Sequence, residues 1–324
     1  MFLSIIGGII ALGIGADLIV RAAINLSNVY KVSGYFIGFT VIALGTSLPE
    51  LAATVQALNV VNSLDIALGN IIGSNIANIL LILGVVSIIN PIIFPDKQSQ
   101  RNQTVIVLVV TLIATIIFYI LSNSSKNNTG IYGIILILIF LAFLFLQYKN
   151  EILDKTQIIS QPQYSKLLSY IILIVGLILL YYGSKYFIVG SKYFALSFGI
   201  SESIIGLTLV AFGTSLPELA TGIVAATRKQ SNIAVGTILG SNVYNIVGIF
   251  ALILFVKSSA FPSGSEILIT NIVLMLIITF LFVYKVRFGF KFLNITPFHL
   301  GKKSGILFLI LYVIYNLYNY FLLN

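Results

Sequence analysis

Charge is what this sequence has least of. Only 8% of its 324 residues are Asp, Glu, Lys or Arg, and only 9 of those are acidic. A soluble domain carries about 25% charged residues and about 45–50% apolar ones, whereas this chain is 59% hydrophobic. The shortage excludes a water-soluble globular domain and implies an all-α polytopic membrane protein, since hydrocarbon demands backbone that bonds to itself. Cysteine is absent, which removes disulfides and thiolate metal ligands. The one histidine, His299, falls in a predicted inner loop, and this argues against zinc or copper. No GxxxxGK[ST] run occurs, so direct ATP coupling is disfavoured. No cofactor and no enzymatic activity are expected. Its first residues, MFLSIIGGIIALGIG, lack a basic stretch and a cleavage site and read as a first span, not a signal peptide.

What is present is apolar runs. A spanning helix needs about 20 mostly apolar residues. Ten such stretches are predicted, near 2–24, 34–59, 64–90, 103–121, 130–147, 168–190, 201–227, 231–256, 265–284 and 303–322. With the N-terminus outside, only Lys126, Lys185, Lys192 and Lys257 of the 18 Lys and Arg residues fall on the outer side. The cytoplasmic side is the basic one, so both termini are expected outside the cell membrane. The net charge of +9 is then topology. It adds an attraction to anionic lipid headgroups and calls for no nucleic-acid partner.

The chain repeats itself. GFTVIALGTSLPELA at 38–52 returns as GLTLVAFGTSLPELA at 206–220, and GNIIGSNIANILLILG at 69–84 returns as GTILGSNVYNIVGIFA at 236–251. Gly15, Ser33, Gly38 and Glu50 pair with Gly183, Ser201, Gly206 and Glu218 at an offset of 168, and the second motif at 167. The duplicated unit is five spans long: 1–147, then a cytoplasmic linker at 148–167, then 168–324. An odd number of spans sends the second half into the membrane from the opposite side. That is the inverted-repeat plan of secondary transporters, with the site near the midplane. Neither half alone completes the site, so the chain is one transport domain and is expected to work as a monomer.

Glu50 and Glu218 sit inside these apolar segments. A charge there costs at least about 2.5–3.5 kcal/mol, so each carboxylate must be protonated, paired or bound to a cation. A lone glutamate could be a protonated donor to a carbonyl, but two in duplicated motifs point to a cation site. Thr46 and Ser47 precede Glu50 by four and three residues, as Thr214 and Ser215 precede Glu218. On a continuous helix these share the glutamate's face, although such hydroxyls also bond their own upstream carbonyls. Pro49 and Pro217 have no N–H, which frees the carbonyls of Gly45 and Gly213. GSNIAN supplies Ser74 and Asn78, and GSNVYN supplies Ser241 and Asn245, each pair on one helical face. Asn75 and Asn242 point elsewhere and are expected to bond between helices. Gly69, Gly73, Gly236 and Gly240 read as close-packing positions. The result is an all-oxygen cage, which suits Ca²⁺ or Na⁺. Two carboxylates balance one Ca²⁺, or attract several Na⁺.

GTSLPE at 45–50 and 213–218, with GSNxxN at 73–78 and 240–245, resembles the cation/calcium antiporter superfamily, most like the archaeal and bacterial sodium/calcium exchangers. The resemblance covers nearly the whole chain. It implies that Ca²⁺ is held by Glu50 and Glu218 with Thr46, Thr214 and the carbonyls of Ala43 and Ala211. It implies that Na⁺ shares these groups and also uses Ser47, Ser74, Ser215 and Ser241. The first and sixth spans would slide to open the site to one side at a time, with three Na⁺ exchanged for one Ca²⁺. The position of Asn245 is an aspartate in many prokaryotic relatives and in potassium-dependent exchangers. Here Asn78 and Asn245 are both neutral amides, as in potassium-independent animal exchangers, so K⁺ is not expected to be transported. The proton/calcium branch carries Gly-Asn where this chain has Gly-Thr, which favours sodium as counter-ion. An H⁺/Ca²⁺ antiporter using the same glutamates stands as the alternative, and a cation channel is disfavoured by the inverted repeat.

Weaker features remain. Asp17 and Lys185 read as near-interface residues that snorkel or pair locally. Asn123 and Asn127 begin glycosylation sequons. The basic, aromatic stretch 285–303 is expected at the inner interface, and the linker is too short for a large regulatory Ca²⁺-binding domain.

Overall fold

With so few polar side chains, backbone hydrogen bonds must close within each segment, and helix follows. The computed structural model describes residues 2–60, 63–94, 98–122, 129–153, 163–198, 211–256, 266–289 and 297–323. Helix dominates them: α1 Phe2–Tyr30, α2 Gly34–Asn59, α3 Leu64–Ile89, α4 Gln98–Ser122, α5 Thr129–Leu153, α6 Lys166–Ser197, α7 Leu216–Thr227 after a turn at Ala211–Thr214, α8 Ser231–Val256, α9 Glu266–Phe288 and α10 Lys302–Leu323. A two-residue antiparallel pairing joins β1, Ile92–Ile93, to β2, His299–Leu300. Among the described residues eight helices are long and apolar enough to cross a membrane, against the ten expected. Thr129–Ala142 and Leu216–Thr227 are shorter apolar helices, and the first residues of the span expected at 201–227 lie outside the described residues, as do Asn123 and Asn127.

Among the described residues three helices change pitch. Gly38–Ile42, Asn78–Ile82 and Asn245–Phe250 are widened π-helical turns, a feature that gathers at functional sites. The chain also leaves helical geometry at Ser47 (φ −82°, ψ 3°) and at Ser215 (φ −87°, ψ 6°). Each break lies two residues before a proline, which cannot donate the bond that would bridge it.

The chain packs into two compact units that interleave along the sequence: Met1–Pro49 with Glu151–Ser241, and Glu50–Asn150 with Asn242–Asn324. Each draws on both halves of the sequence.

In the first unit α1 and α6 run antiparallel in backbone contact. A Cβ on Gly8 would stand 2.7 Å from the Gly183 carbonyl, and one on Gly15 would stand 2.8 Å from the Gly176 carbonyl. Small residues permit this approach, and packing drives it where lipid offers no hydrophobic gain. The buried Asn25 side chain fastens the same pair, donating to Ser169 Oγ at 2.7 Å and accepting from the backbone N–H of Gln163 at 2.6 Å. The opposite face of α1 (Leu3, Ile6, Ile10, Ile14) is exposed and apolar, as a lipid-facing surface should be. Asp17 pairs locally as expected. It accepts from Arg21 at 2.7 Å and from Arg228 Nε at 2.8 Å, which links α1 to the end of α7.

In the second unit α3 and α10 meet where a Cβ on Gly305 would stand 2.6 Å from the Gly84 carbonyl. Lys285, in the stretch expected at the inner interface, is wholly buried. Its ammonium donates to the His299 carbonyl. The sequence could not show this, because Phe298 turns back over the end of α9. Its N–H donates to the Val286 carbonyl at 2.7 Å, and its φ is 55°.

Candidate cation site

Glu218 lies in the first turn of α7, in the first unit, and is wholly buried. Its Oε1 accepts from Ser241 Oγ at 3.1 Å and, at the long limit of 3.5 Å, from Ser47 Oγ. Thr46 Oγ1 lies 3.4 Å from Ser241 Oγ and 3.4 Å from the Ala43 carbonyl. Glu218 Oε2 has no partner among the described residues, nor has Thr237 Oγ1. Thr214 and Ser215 are buried beside the break, and Ala211 opens the turn before it.

This arrangement corrects the single-stripe expectation. Ser47 was placed on the face of Glu50, in its own motif, yet it reaches Glu218 in the other. The helical i−3 relation fails because the chain is not helical at Ser47 and Ser215. The freed carbonyl of Gly213 does not stay free either, since Ser184 Oγ donates to it at 2.6 Å. The close-packing expectation holds for Gly236 and Gly240, where an added Cβ would strike the carbonyls of Tyr35 and Phe39. It does not hold for Gly69 and Gly73, where an added Cβ meets nothing within 4 Å.

In the second unit Glu50 is also wholly buried, and its backbone carbonyl accepts from Asn70 Nδ2 at 3.1 Å. Asn70 donates to Thr54 Oγ1 at 3.2 Å as well. Repeat comparison does not reveal this role for Asn70, because its counterpart at offset 167 is Thr237 and the duplication carries no signal there. The Glu218 carbonyl is instead bonded by Thr221 of its own helix at 3.1 Å. Ser74, Asn78 and Asn245 are fully buried, and Ser74 Oγ, Asn78 Oδ1 and Asn245 Oδ1 find no partner among the described residues. Asn75 and Asn242 make the interhelical bonds expected of them: Asn78 Nδ2 donates to Asn242 Oδ1 at 2.8 Å, and Asn245 Nδ2 donates to Asn75 Oδ1 at 3.4 Å.

A buried polar atom left without a partner costs about 1–3 kcal/mol and needs an explanation. Four of these atoms are oxygens of residues singled out in the sequence as ligands. Among the described residues no group of three or more His, Cys, Asp or Glu side chains forms, so any cation here meets mainly hydroxyl and amide oxygen.

A family model described as sodium/calcium exchanger protein matches residues 1–149 and 168–321. The chain belongs to that family. The exchanger is 36% identical over 308 residues to an uncharacterized membrane protein of Methanocaldococcus jannaschii, covering 95% of this chain and 94% of the relative. It is 27% identical to the sodium/calcium exchanger MaX1 of Methanosarcina acetivorans, over 78% of this chain and 81% of that one. Among solved structures it is similar to the sodium-calcium exchanger NCX_Mj soaked with Na⁺ and Sr²⁺, with a TM-score of 0.79, 32% identity and coverage of 96% and 95%. The exchanger is thus a multi-pass membrane transporter of cations and not an enzyme, and its ions are substrates rather than cofactors.

Proposed function

We propose that this exchanger moves Ca²⁺ against Na⁺ by alternating access, electrogenically and without K⁺. The ligands are Glu50, Glu218, Thr46, Thr214, Ser47, Ser215, Ser74, Ser241, Asn78 and Asn245, with the carbonyls of Ala43 and Ala211. The charges of the two glutamates balance one Ca²⁺. The observation that carries the reading is Glu218: a wholly buried carboxylate, flanked by hydroxyls, with one oxygen unpartnered among the described residues. In a family of exchangers, a cation is the partner that such a group lacks.

The reading includes ten spans in two inverted five-span repeats, 1–147 and 168–324, with a cytoplasmic linker and both termini outside. Three paired features support it. Matching breaks occur at Ser47 and Ser215, and widened turns begin at Asn78 and Asn245. The glycine contacts are reciprocal: Gly8 and Gly15 correspond to Gly176 and Gly183 at offset 168, yet Gly8 touches Gly183 and Gly15 touches Gly176. A twofold relation exchanges contacts in this way.

The test is radiolabelled Ca²⁺ uptake into proteoliposomes at fixed pH, with and without an outward Na⁺ gradient. Uptake that follows the Na⁺ gradient is expected. Uptake driven by a proton gradient with no Na⁺ present overturns the choice of counter-ion in favour of H⁺/Ca²⁺ exchange. Uptake that needs no counter-ion at all overturns exchange.

A further inference from the structure

The four asparagines of the two GSNxxN motifs form a reciprocal network inside the second unit. The sixth-position amide of each copy donates to the third-position amide oxygen of the other, Asn78 to Asn242 and Asn245 to Asn75. Each chain of bonds then ends on an atom that can only accept. Asn242 Nδ2 donates to the backbone carbonyl of Asn75 at 3.3 Å, and Asn75 Nδ2 donates to Met275 Sδ at 3.6 Å. All four asparagines and Met275 are buried.

These terminal acceptors remove an ambiguity. An amide can turn over, exchanging its oxygen for its NH₂, wherever both ends find suitable partners. Asn242 cannot turn over, because its oxygen would then face the Asn75 carbonyl. Its Oδ1 must therefore face Asn78, so Asn78 must offer NH₂ in that direction and its own Oδ1 in the other. Met275 fixes Asn75, and through it Asn245, by the same logic. The two oxygens left over, Asn78 Oδ1 and Asn245 Oδ1, are the buried ones that find no partner among the described residues.

We infer that Asn75 and Asn242, with Met275 behind Asn75, are positioning residues that hold the amides of Asn78 and Asn245 oxygen-first toward the transported cation. Without them either amide could present NH₂, which repels a cation. The inference rests on the reading that Asn78 and Asn245 are ligands.

The experiment exploits the fact that a carboxylate has oxygen on both sides and no orientation to lose. Ca²⁺ uptake is measured as a function of Ca²⁺ concentration in proteoliposomes. Asn242→Leu is expected to raise the KM for Ca²⁺ by about tenfold or more, as loss of one oriented ligand requires. Adding Asn78→Asp to Asn242→Leu should bring KM back to within about threefold of wild type, whereas adding Asn245→Asp should not. Asn75→Leu should show the mirror pattern, corrected by Asn245→Asp and not by Asn78→Asp. Met275→Leu keeps the volume and removes only the acceptor, so it gives a milder rise with the same correction by Asn245→Asp. It also serves where the leucine variants fold poorly. Equal impairment of matched and mismatched doubles overturns the inference and leaves Asn75 and Asn242 as structural bonds. So does an unchanged KM in Asn242→Leu when Asn78→Ala raises it. Normal uptake by both Asn78→Ala and Asn245→Ala overturns the ligand reading itself, a separate failure.

Discussion

Glu50 and Glu218 are alike in sequence and in burial, but their backbones are held differently. The carbonyl of Glu50 is bonded from another helix by Asn70, and that of Glu218 by Thr221 one turn on. On the proposed reading, replacing either glutamate by glutamine removes half of the charge that balances Ca²⁺. Glu50→Gln and Glu218→Gln should therefore each abolish Ca²⁺ uptake. The melting temperature should hold or rise, since a buried charge is costly to keep without its cation. Near-normal uptake by either variant would sink the two-carboxylate site. The hydroxyls should rank by distance. Ser241, at 3.1 Å from Glu218 Oε1, should matter more than Ser47 at 3.5 Å. Ser241→Ala is expected to weaken Ca²⁺ binding by about 1.5–3 kcal/mol, the worth of a hydrogen bond to a charged group, and Ser47→Ala by less. Titrating the Ca²⁺-induced rise in melting temperature of both variants checks the order.

At the scale of elements, the α1–α6 contact brings backbone against backbone at two places. A side chain there has no flexible neighbour to displace. Gly15→Val should separate the helices, lower stability by about 1–3 kcal/mol or more and slow exchange. Gly13→Ala serves as control, since a Cβ on Gly13 meets nothing within 4 Å. If both variants melt and transport alike, the close approach has no energetic weight. The Asp17–Arg228 pair also joins α1 to α7, but its side chains are 31% and 35% exposed. Exposed pairs contribute about 0.2–1 kcal/mol, so Asp17→Asn should shift the melting temperature little. Buried Lys285 is the opposite case. Lys285→Met keeps most of the volume and leaves the His299 carbonyl without its donor, so it should cost about 1–3 kcal/mol, read by thermal unfolding in detergent. The pairing of Gly15 with Gly183 was legible in the duplication. That Gly15 touches Gly176 was not, because correspondence between repeats is a different relation from contact.

At the scale of the whole molecule, exchange of three Na⁺ for one Ca²⁺ would move one net charge per cycle. Clamping the membrane potential of proteoliposomes with valinomycin and K⁺ should therefore change the rate of Na⁺-driven Ca²⁺ uptake. A rate indifferent to potential would indicate electroneutral exchange with two monovalent ions. On the proposed reading protons and Ca²⁺ compete for the same carboxylates, so uptake should fall as pH falls and recover as Ca²⁺ is raised. With neutral amides at 78 and 245, uptake should need no K⁺. Uptake rates across pH, with K⁺ present and absent, check both expectations.

The class of molecule, its repeated motifs and its buried glutamates were fixed by composition and duplication. A carboxylate amid apolar residues is conspicuous at any packing, and an all-oxygen set of side chains can be read from residue types alone. Partner identity was not fixed in this way. Ser47 meets Glu218 because the helix breaks beside it, Ser184 takes the Gly213 carbonyl, Asn70 holds Glu50, and Lys285 lies inside the fold. Each of these depends on where a second segment passes, and local spacing carries no information about that. The orientation of Asn78 and Asn245 is the clearest case. An amide has two chemically different ends, and which end turns away from the asparagine network is decided by the acceptors packed behind it.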